Sequence, residues 1–217
     1  MNTIIISRLL GSGAGLIASQ LAQSLNYDFV DKEMLQVTME QYGLTRFGKL
    51  YTSPPNIWDL ANSKNLQVVS MLDDTMRALA HRKQTVVLAR GGYNVLSNRS
   101  DVLKVRIQAP FAARVERVME REGIQDKEQA EKLVAADDKA RTKFVARFYH
   151  QNWEDASSFD LVINTDLIPT ETSVAWISDA SRLLEKRDQL IGSGSTESKE
   201  VDPLLLEAIE HALEGRV

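Results

Sequence analysis

The chain has 217 residues, 43% hydrophobic and 26% charged, enough for one substantial core or a core with a small lid, and an ordinary soluble composition. A formal charge of -4 argues against a duplex-binding protein, and the absence of cysteine excludes disulfides and cysteine-based zinc sites. The three histidines, at 81, 150 and 211, are too scattered to suggest a metal site. No apolar run approaches the ~20 residues that span a bilayer, and the first residues enter a strand without a basic, cleavable leader, so a cytoplasmic, reducing setting is expected.

In chain order, Ile4-Ile5-Ile6 is a short β-branched run, and Gly11, Gly13 and Gly15 follow on alternate positions. Leu16, Ile17, Leu21 and Leu25, with Ala18 and Ala22 on the neighbouring face, then carry the spacing of a helix packed on a sheet, closed by Asn26. Strand, glycine loop and helix in that order bring bare backbone N–H groups to an anion at a helix N-terminus. A P-loop needs G-x-x-x-x-G-K-[ST]. With its last glycine on Gly13, Arg8 stands where the first glycine belongs, Ala14 where the lysine belongs, and Gly15 where the hydroxyl residue belongs. Gly11, Ser12, Gly13, Ala14 and Gly15 therefore read as a phosphate cradle without its own cation. A tight turn with no ligand is the plainer alternative.

Residues 27–30 predict a second strand ending at Asp31, which puts Asp31 and Lys32 at a strand's carboxyl edge, where open α/β folds hold ligands. Asp31 is equally placed to cap a helix from Lys32 to Gln41. Between Gly43 and Asn65 the pattern breaks, with Ser53-Pro54-Pro55 as punctuation and Arg46, Lys49, Tyr51 and Trp58 interspersed, which suggests a binding segment rather than a connector. A helix over 66–82 and a buried strand over 85–89 lead to Arg90-Gly91-Gly92.

Residues 104–108 alternate as a fourth strand, and residues 111–122 form a helix with Arg114, Arg117 and Arg121 on one face. Gly123 breaks it, and Asp126 caps a long helix reaching about Tyr149. A fifth strand over 159–164 and a closing helix over 170–187 follow, with Val174, Ile177, Ala180 and Leu184 inward. Strands alternating with helices imply βαβ units and a mostly parallel sheet. Residues 191–201 read as a flexible linker and 202–217 as an amphipathic helix with Leu205, Leu206, Ile209 and Leu213 on one side. At about twelve residues that helix is marginal alone, so it docks on its own domain, on a second subunit or on a partner.

Taken together, these residues resemble the cytidylate kinase-like family of P-loop nucleoside monophosphate kinases, over roughly residues 3–180. Four blocks carry the likeness: Ile6-Ser7-Arg8 with Gly11-Ser12-Gly13 and Phe29-Val30-Asp31-Lys32-Glu33; Val87-Leu88-Ala89-Arg90-Gly91; Ala109-Pro110 with Arg114 through Gly123; and Asp138-Lys139-Ala140-Arg141, Trp153-Glu154-Asp155 and Phe159 through Thr165. The resemblance implies a parallel five-stranded sheet flanked by helices over 1–190, an acceptor-binding segment about 32–83 and a helical lid about 111–153. It also implies ATP with Mg²⁺ and a nucleoside monophosphate of the CMP type. Nucleotides are then the partners, with no nucleic acid and no membrane, and a homodimer or protein contact through the C-terminal helix is a further expectation.

On this reading Gly11 to Gly15 hold the donor phosphates, Arg90 the acceptor phosphate, and Asp31 a Mg²⁺-bound water or the acceptor. Arg8, Lys32, Arg117 and Arg141 supply positive charge, with Arg114 and Arg147 as further cations; no direct metal-ligand motif is present. Tyr51, Trp58 and Trp153 are candidates to stack on a base, with packing anchors as the commoner role of such aromatics. Two other functions compete: a kinase-like module that binds nucleotide without turnover, and a Rossmann dinucleotide enzyme. The last draws on Asp31, twenty residues beyond Gly11, but G-x-G-x-x-G would need glycine at Leu16.

Overall fold

The computed structural model describes residues 2–45, 47–52, 62–191 and 201–214. Five strands form one sheet: β1 (Thr3–Arg8), β2 (Asp28–Val30), β3 (Thr85–Leu88), β4 (Val102–Gln108) and β5 (Leu161–Asn164). Their order is β2-β3-β1-β4-β5 and every pairing is parallel, Ile6 standing beside Leu88 on one side and Val105 on the other. Parallel neighbours require crossovers, and these carry α1 (Ala14–Leu25), α2 (Lys32–Gln41), α3 (Phe47–Thr52), α4 (Ser63–Arg82), α5 (Gly92–Val95), α6 (Phe111–Glu122) and α7 (Lys127–Tyr149), with α8 (Thr170–Ile191) after the last strand. A last helix, α9 (Pro203–Glu214), follows.

The period-2 geometry of the central strands divides the core between the two faces of the sheet. Ile5 and Val87 face a cluster with residues from α2, α4, α9 and the C-terminal half of α7, whereas Ile4, Ile6, Val86 and Leu88 face α1 and α8. A third cluster, Val115 and Val118 with Ala130 and Val134, joins α6 to the first half of α7.

The predicted elements are found with small shifts, and the exceptions have physical reasons. Leu16, expected inward, is exposed, while Ala14, Ile17, Ala18, Leu21 and Ala22 make the buried face of α1. The alternating strand over 104–108 is an interior one: β4 lies between β1 and β5, and Arg106 is buried. Its Nη1 donates to the Trp153 carbonyl and the guanidinium lies over the Trp153 ring, which is a buried anchor, while Nε is buried without a partner among the described residues. Part of the irregular segment is helix α3, whose Phe47, Leu50 and Tyr51 are buried. Arg46, Trp58 and the Ser53-Pro54-Pro55 turn lie outside the described residues, as does most of the expected linker.

The C-terminal helix folds back on its own chain. It packs against α2 and α4 with Leu205, Ile209 and Ala212 buried, and Leu206 and Leu213 partly buried beside them. Arg82, at the end of α4, pairs with both Asp28 of β2 and Glu210 of α9.

Candidate active site

At the carboxyl edge of β1 the chain makes the glycine bend. Gly11 adopts a left-handed φ of 79°, and a Cβ there would stand 2.5 Å from the Arg114 carbonyl oxygen, so the turn is pressed against α6. Gly13 caps α1 with no side-chain hydrogen bond, and the first turn of α1 contains no acid. The positive end of the helix dipole therefore faces the bend with its early amides uncapped by any side chain. Ser12 is buried, and its Oγ has no hydrogen-bond partner among the described residues. Its carbonyl accepts from Thr165 Oγ1 at 2.8 Å, which ties the bend to the loop after β5.

Arg117 donates to both Thr165 Oγ1 and the Thr165 carbonyl, at 3.0 and 2.9 Å. It thus reaches the bend through Thr165 and is not gathered with the other candidate cations. The arginine face of α6 divides its labour. Arg114, 4% exposed, donates to the Leu10 carbonyl and grips Asp138 with two nitrogens, at 3.0 and 2.8 Å. Arg121 remains at the surface, paired with Glu122.

A cleft of about 560 Å³ opens beside the bend, between Gly15, Leu16 and Ser19 of α1 and Asp31, Lys32 and Glu33 at the start of α2, with Arg8 and Leu88 at its floor. The volume suits a small ligand. Asp31 does cap α2, its Oδ1 accepting from the Glu33 and Met34 amides, and the same residue walls the cleft.

On the other side of Arg8 lies the strongest electrostatic feature. Arg8 is half-buried at the end of β1, and its Nη1 donates to the Leu88 carbonyl of the neighbouring strand at 3.3 Å. Arg90, just past β3, is 5% exposed, and Arg141 of α7 is 4% exposed. Both hold Asp137: Arg90 Nη2 meets Oδ1 at 2.9 Å, and Arg141 binds Oδ2 through Nε. Burial, then the nearby Arg141, pulls the Arg8 and Arg90 guanidiniums down to about 10. Burial alone would raise Asp137, but Arg141, Arg90 and Arg8 outweigh it and hold the carboxyl below its usual range. Two guanidiniums thus hold one carboxylate while a third, Arg8, acts on it through space, and among the described residues Nε and Nη1 of Arg90 are buried without partners.

Tyr51 and Tyr149 fix Arg90 in place. The Arg90 amide donates to the Tyr51 hydroxyl at 2.6 Å, and the guanidinium lies 5.1 Å from the centre of that ring, so Tyr51 is committed to the arginine. Tyr149 presses on Gly91, where a Cβ would come within 2.3 Å of its ring, and its hydroxyl donates to Asp73 Oδ1 at 2.7 Å. Burial, then Asp73, pushes that hydroxyl well above its ordinary value. Asp137, Tyr51 as the partner of Arg90, Tyr149 and Thr165 were all missed in sequence. Only Asp137 left a signal, its four-residue spacing to Arg141 on one helix.

A parallel β2-β3-β1-β4-β5 sheet with a glycine bend between its central strand and the first helix places this chain among proteins of the P-loop kinase fold. Solved structures agree. A protein from Eubacterium ventriosum superposes with a TM-score of 0.61 at 22% identity, over 84% of this chain and 99% of that one. The shikimate kinase of Bacteroides thetaiotaomicron gives 0.52 at 15% identity, over 83% and 98%.

Sequence narrows the class further: residues 3–167 match the cytidylate kinase-like family, and the chain belongs to it. Similar proteins include the cytidylate kinase of Methanopyrus kandleri, 29% identical over 85% of this chain and 96% of that protein. That of Methanosarcina mazei is 27% identical over 75% and 87%. Among the described residues no helix is long and apolar enough to cross a membrane.

Proposed function

We propose that the protein is a kinase-type phosphotransferase that moves the terminal phosphoryl group of ATP to a nucleoside monophosphate of the CMP type. The observation that carries this reading is the set of three guanidiniums, Arg8, Arg90 and Arg141, around one carboxylate at the edge of the glycine bend. Phosphoryl transfer asks a protein mainly for positioning and for positive charge in a site shielded from water. In this reading the cluster supplies the positive charge that the loop lacks, since Ala14 is buried and brings no cation.

The amides of Gly11 to Gly15 hold the donor phosphates in this scheme, and the uncapped start of α1 with the unpartnered Ser12 hydroxyl fits such a group. Arg90 holds the acceptor phosphate, with Arg8 and Arg141 flanking it. Asp31 and Lys32 line the acceptor side of the cleft, where the segment 32–83 begins, and Arg117 braces the bend from behind. The helices α6 and α7 act as the lid. Mg²⁺ would arrive on the triphosphate in this scheme, and Asp31 on the cleft wall would hold one of its waters. Mg²⁺ supplies charge neutralisation across the phosphates. An acceptor phosphate oxygen bonds to the terminal phosphorus as the bond to the bridging oxygen breaks, leaving ADP.

A second reading, a nucleotide-binding module without turnover, draws on the buried Ala14 at the lysine position. Loss of one transition-state cation costs on the order of 10³–10⁵ in rate, while binding survives. A coupled assay for ADP release with ATP, Mg²⁺ and each nucleoside monophosphate separates the two. Turnover with CMP is expected; intact binding without turnover selects the second reading, and no binding of either nucleotide rejects both.

A further inference from the structure

Asp137 sits where a phosphate group would be expected. Its Oδ1 accepts from Arg90 Nη2 at 2.9 Å and from Arg141 Nη2 at 3.4 Å, its Oδ2 accepts from Arg141 Nε, and Arg8 acts on it through space. A carboxylate nevertheless satisfies this site incompletely. It brings one negative charge to three positive ones, and among the described residues Nε and Nη1 of the 5%-exposed Arg90 remain buried with nothing to donate to. A phosphomonoester brings up to two charges and three acceptor oxygens, which matches both the surplus charge and the idle donors.

The position of Asp137 on α7 makes exchange feasible. The C-terminal half of that helix is fixed in the main core by Phe144 and Val145, and the N-terminal half is fixed to α6 by Ala130 and Val134. The neighbouring Asp138 holds Arg114 of α6. Asp137 alone ties the middle of the helix to Arg90, beyond β3. Releasing that tie leaves both anchored ends undisturbed.

We propose that Asp137 is the internal occupant of an oxyanion site formed by Arg8, Arg90 and Arg141, and that the phosphate of an incoming phosphomonoester displaces it. The site then has a built-in competitor, which neutralises the arginines while the cleft is empty and lowers the apparent affinity of the ligand. This rests on the assignment of Arg90 to the acceptor phosphate. The opposing account makes Asp137 a permanent orienter of the two arginines, and its removal would then weaken binding.

The test is calorimetric titration and thermal melting of the full chain and of Asp137→Asn with inorganic phosphate, CMP and cytidine, with Asp138→Asn as a charge-matched control. Displacement predicts that Asp137→Asn binds phosphate and CMP about tenfold more tightly than the unaltered chain, while cytidine is unaffected and Asp138→Asn shows no such gain. If Asp137→Asn has no cooperative melt alone, phosphate in the buffer restores one. Equal or weaker binding by Asp137→Asn overturns the inference. So does an equal gain in Asp138→Asn, or a melt that phosphate does not restore although it stabilises the unaltered chain. If neither chain responds to phosphate or CMP, the assignment of Arg90 falls with it.

Discussion

The glycine bend, which follows Arg8 in the chain, and the arginine cluster, to which Arg8 belongs, prepare for negative charge in opposite ways. The bend uses backbone: uncapped amides, a helix dipole and no side-chain cation between Gly11 and Gly15. The cluster uses side chains from three separate elements, converging on a carboxylate of a fourth position. A backbone site is set by local conformation and is lost when a turn is strained. A side-chain site depends on long-range packing and shifts with the loss of one partner. Each has a glycine pressed against a neighbour, Gly11 by the Arg114 backbone and Gly91 by the Tyr149 ring, and here the two regions are equally intolerant.

The largest expected effect follows from those close approaches. Gly11→Ala and Gly91→Ala each combine a left-handed φ with a Cβ closer than 3 Å to existing atoms, and each should lose about 3 kcal/mol in chemical denaturation. Gly15→Ala is the counterpart, since a Cβ there meets nothing within 4 Å. Stability should be unchanged or raised by about 1 kcal/mol through helix propensity, while ATP binding by calorimetry falls. Unchanged ATP binding in Gly15→Ala would remove the bend from the donor site.

Next in size is Asp138→Asn, which leaves the buried Arg114 guanidinium half-satisfied and should cost about 2 kcal/mol in the same denaturation. Acid probes the cluster more gently. The unfolded chain protonates Asp137 near the ordinary carboxylate value of about 4, before the folded chain does. The stability of this pairing is therefore complete above that pH and is lost as pH falls through the lower folded value. Melting followed from pH 7 to pH 2 should show that slope, and Asp137→Asn should flatten it. Arg121→Ala, which breaks an exposed pair with Glu122, should stay within about 0.5 kcal/mol and leave both regions intact.

What could be read in the sequence follows the same division. The bend, the Asp31 cap and the spans of α2, α6, α7 and α9 are local patterns, and the structure has them at the expected positions. Asp31 is both alternatives at once, cap and cleft wall. The cluster was visible only as isolated arginines, because Arg90 and Asp137 are 47 residues apart and nothing local says that they meet. Arg114 and Arg117 show the same limit: one helical face, read as a common stripe, serves Asp138 in one case and Thr165 in the other. The stacking of Arg106 on Trp153 was not legible either, because alternation does not say that a strand is interior.

The returning helix α9 extends the influence of the chain's far end. Arg82 binds Glu210 there and Asp28 of β2 together, and β2 stops at Val30, one residue before Asp31. With Leu205 and Ile209 wedged beside Leu35 and Met39 of α2, trimming the protein ahead of residue 203 would loosen the very wall on which Asp31 and Lys32 stand. Anyone shortening this polypeptide to a minimal catalytic unit would be remodelling its ligand cleft from behind.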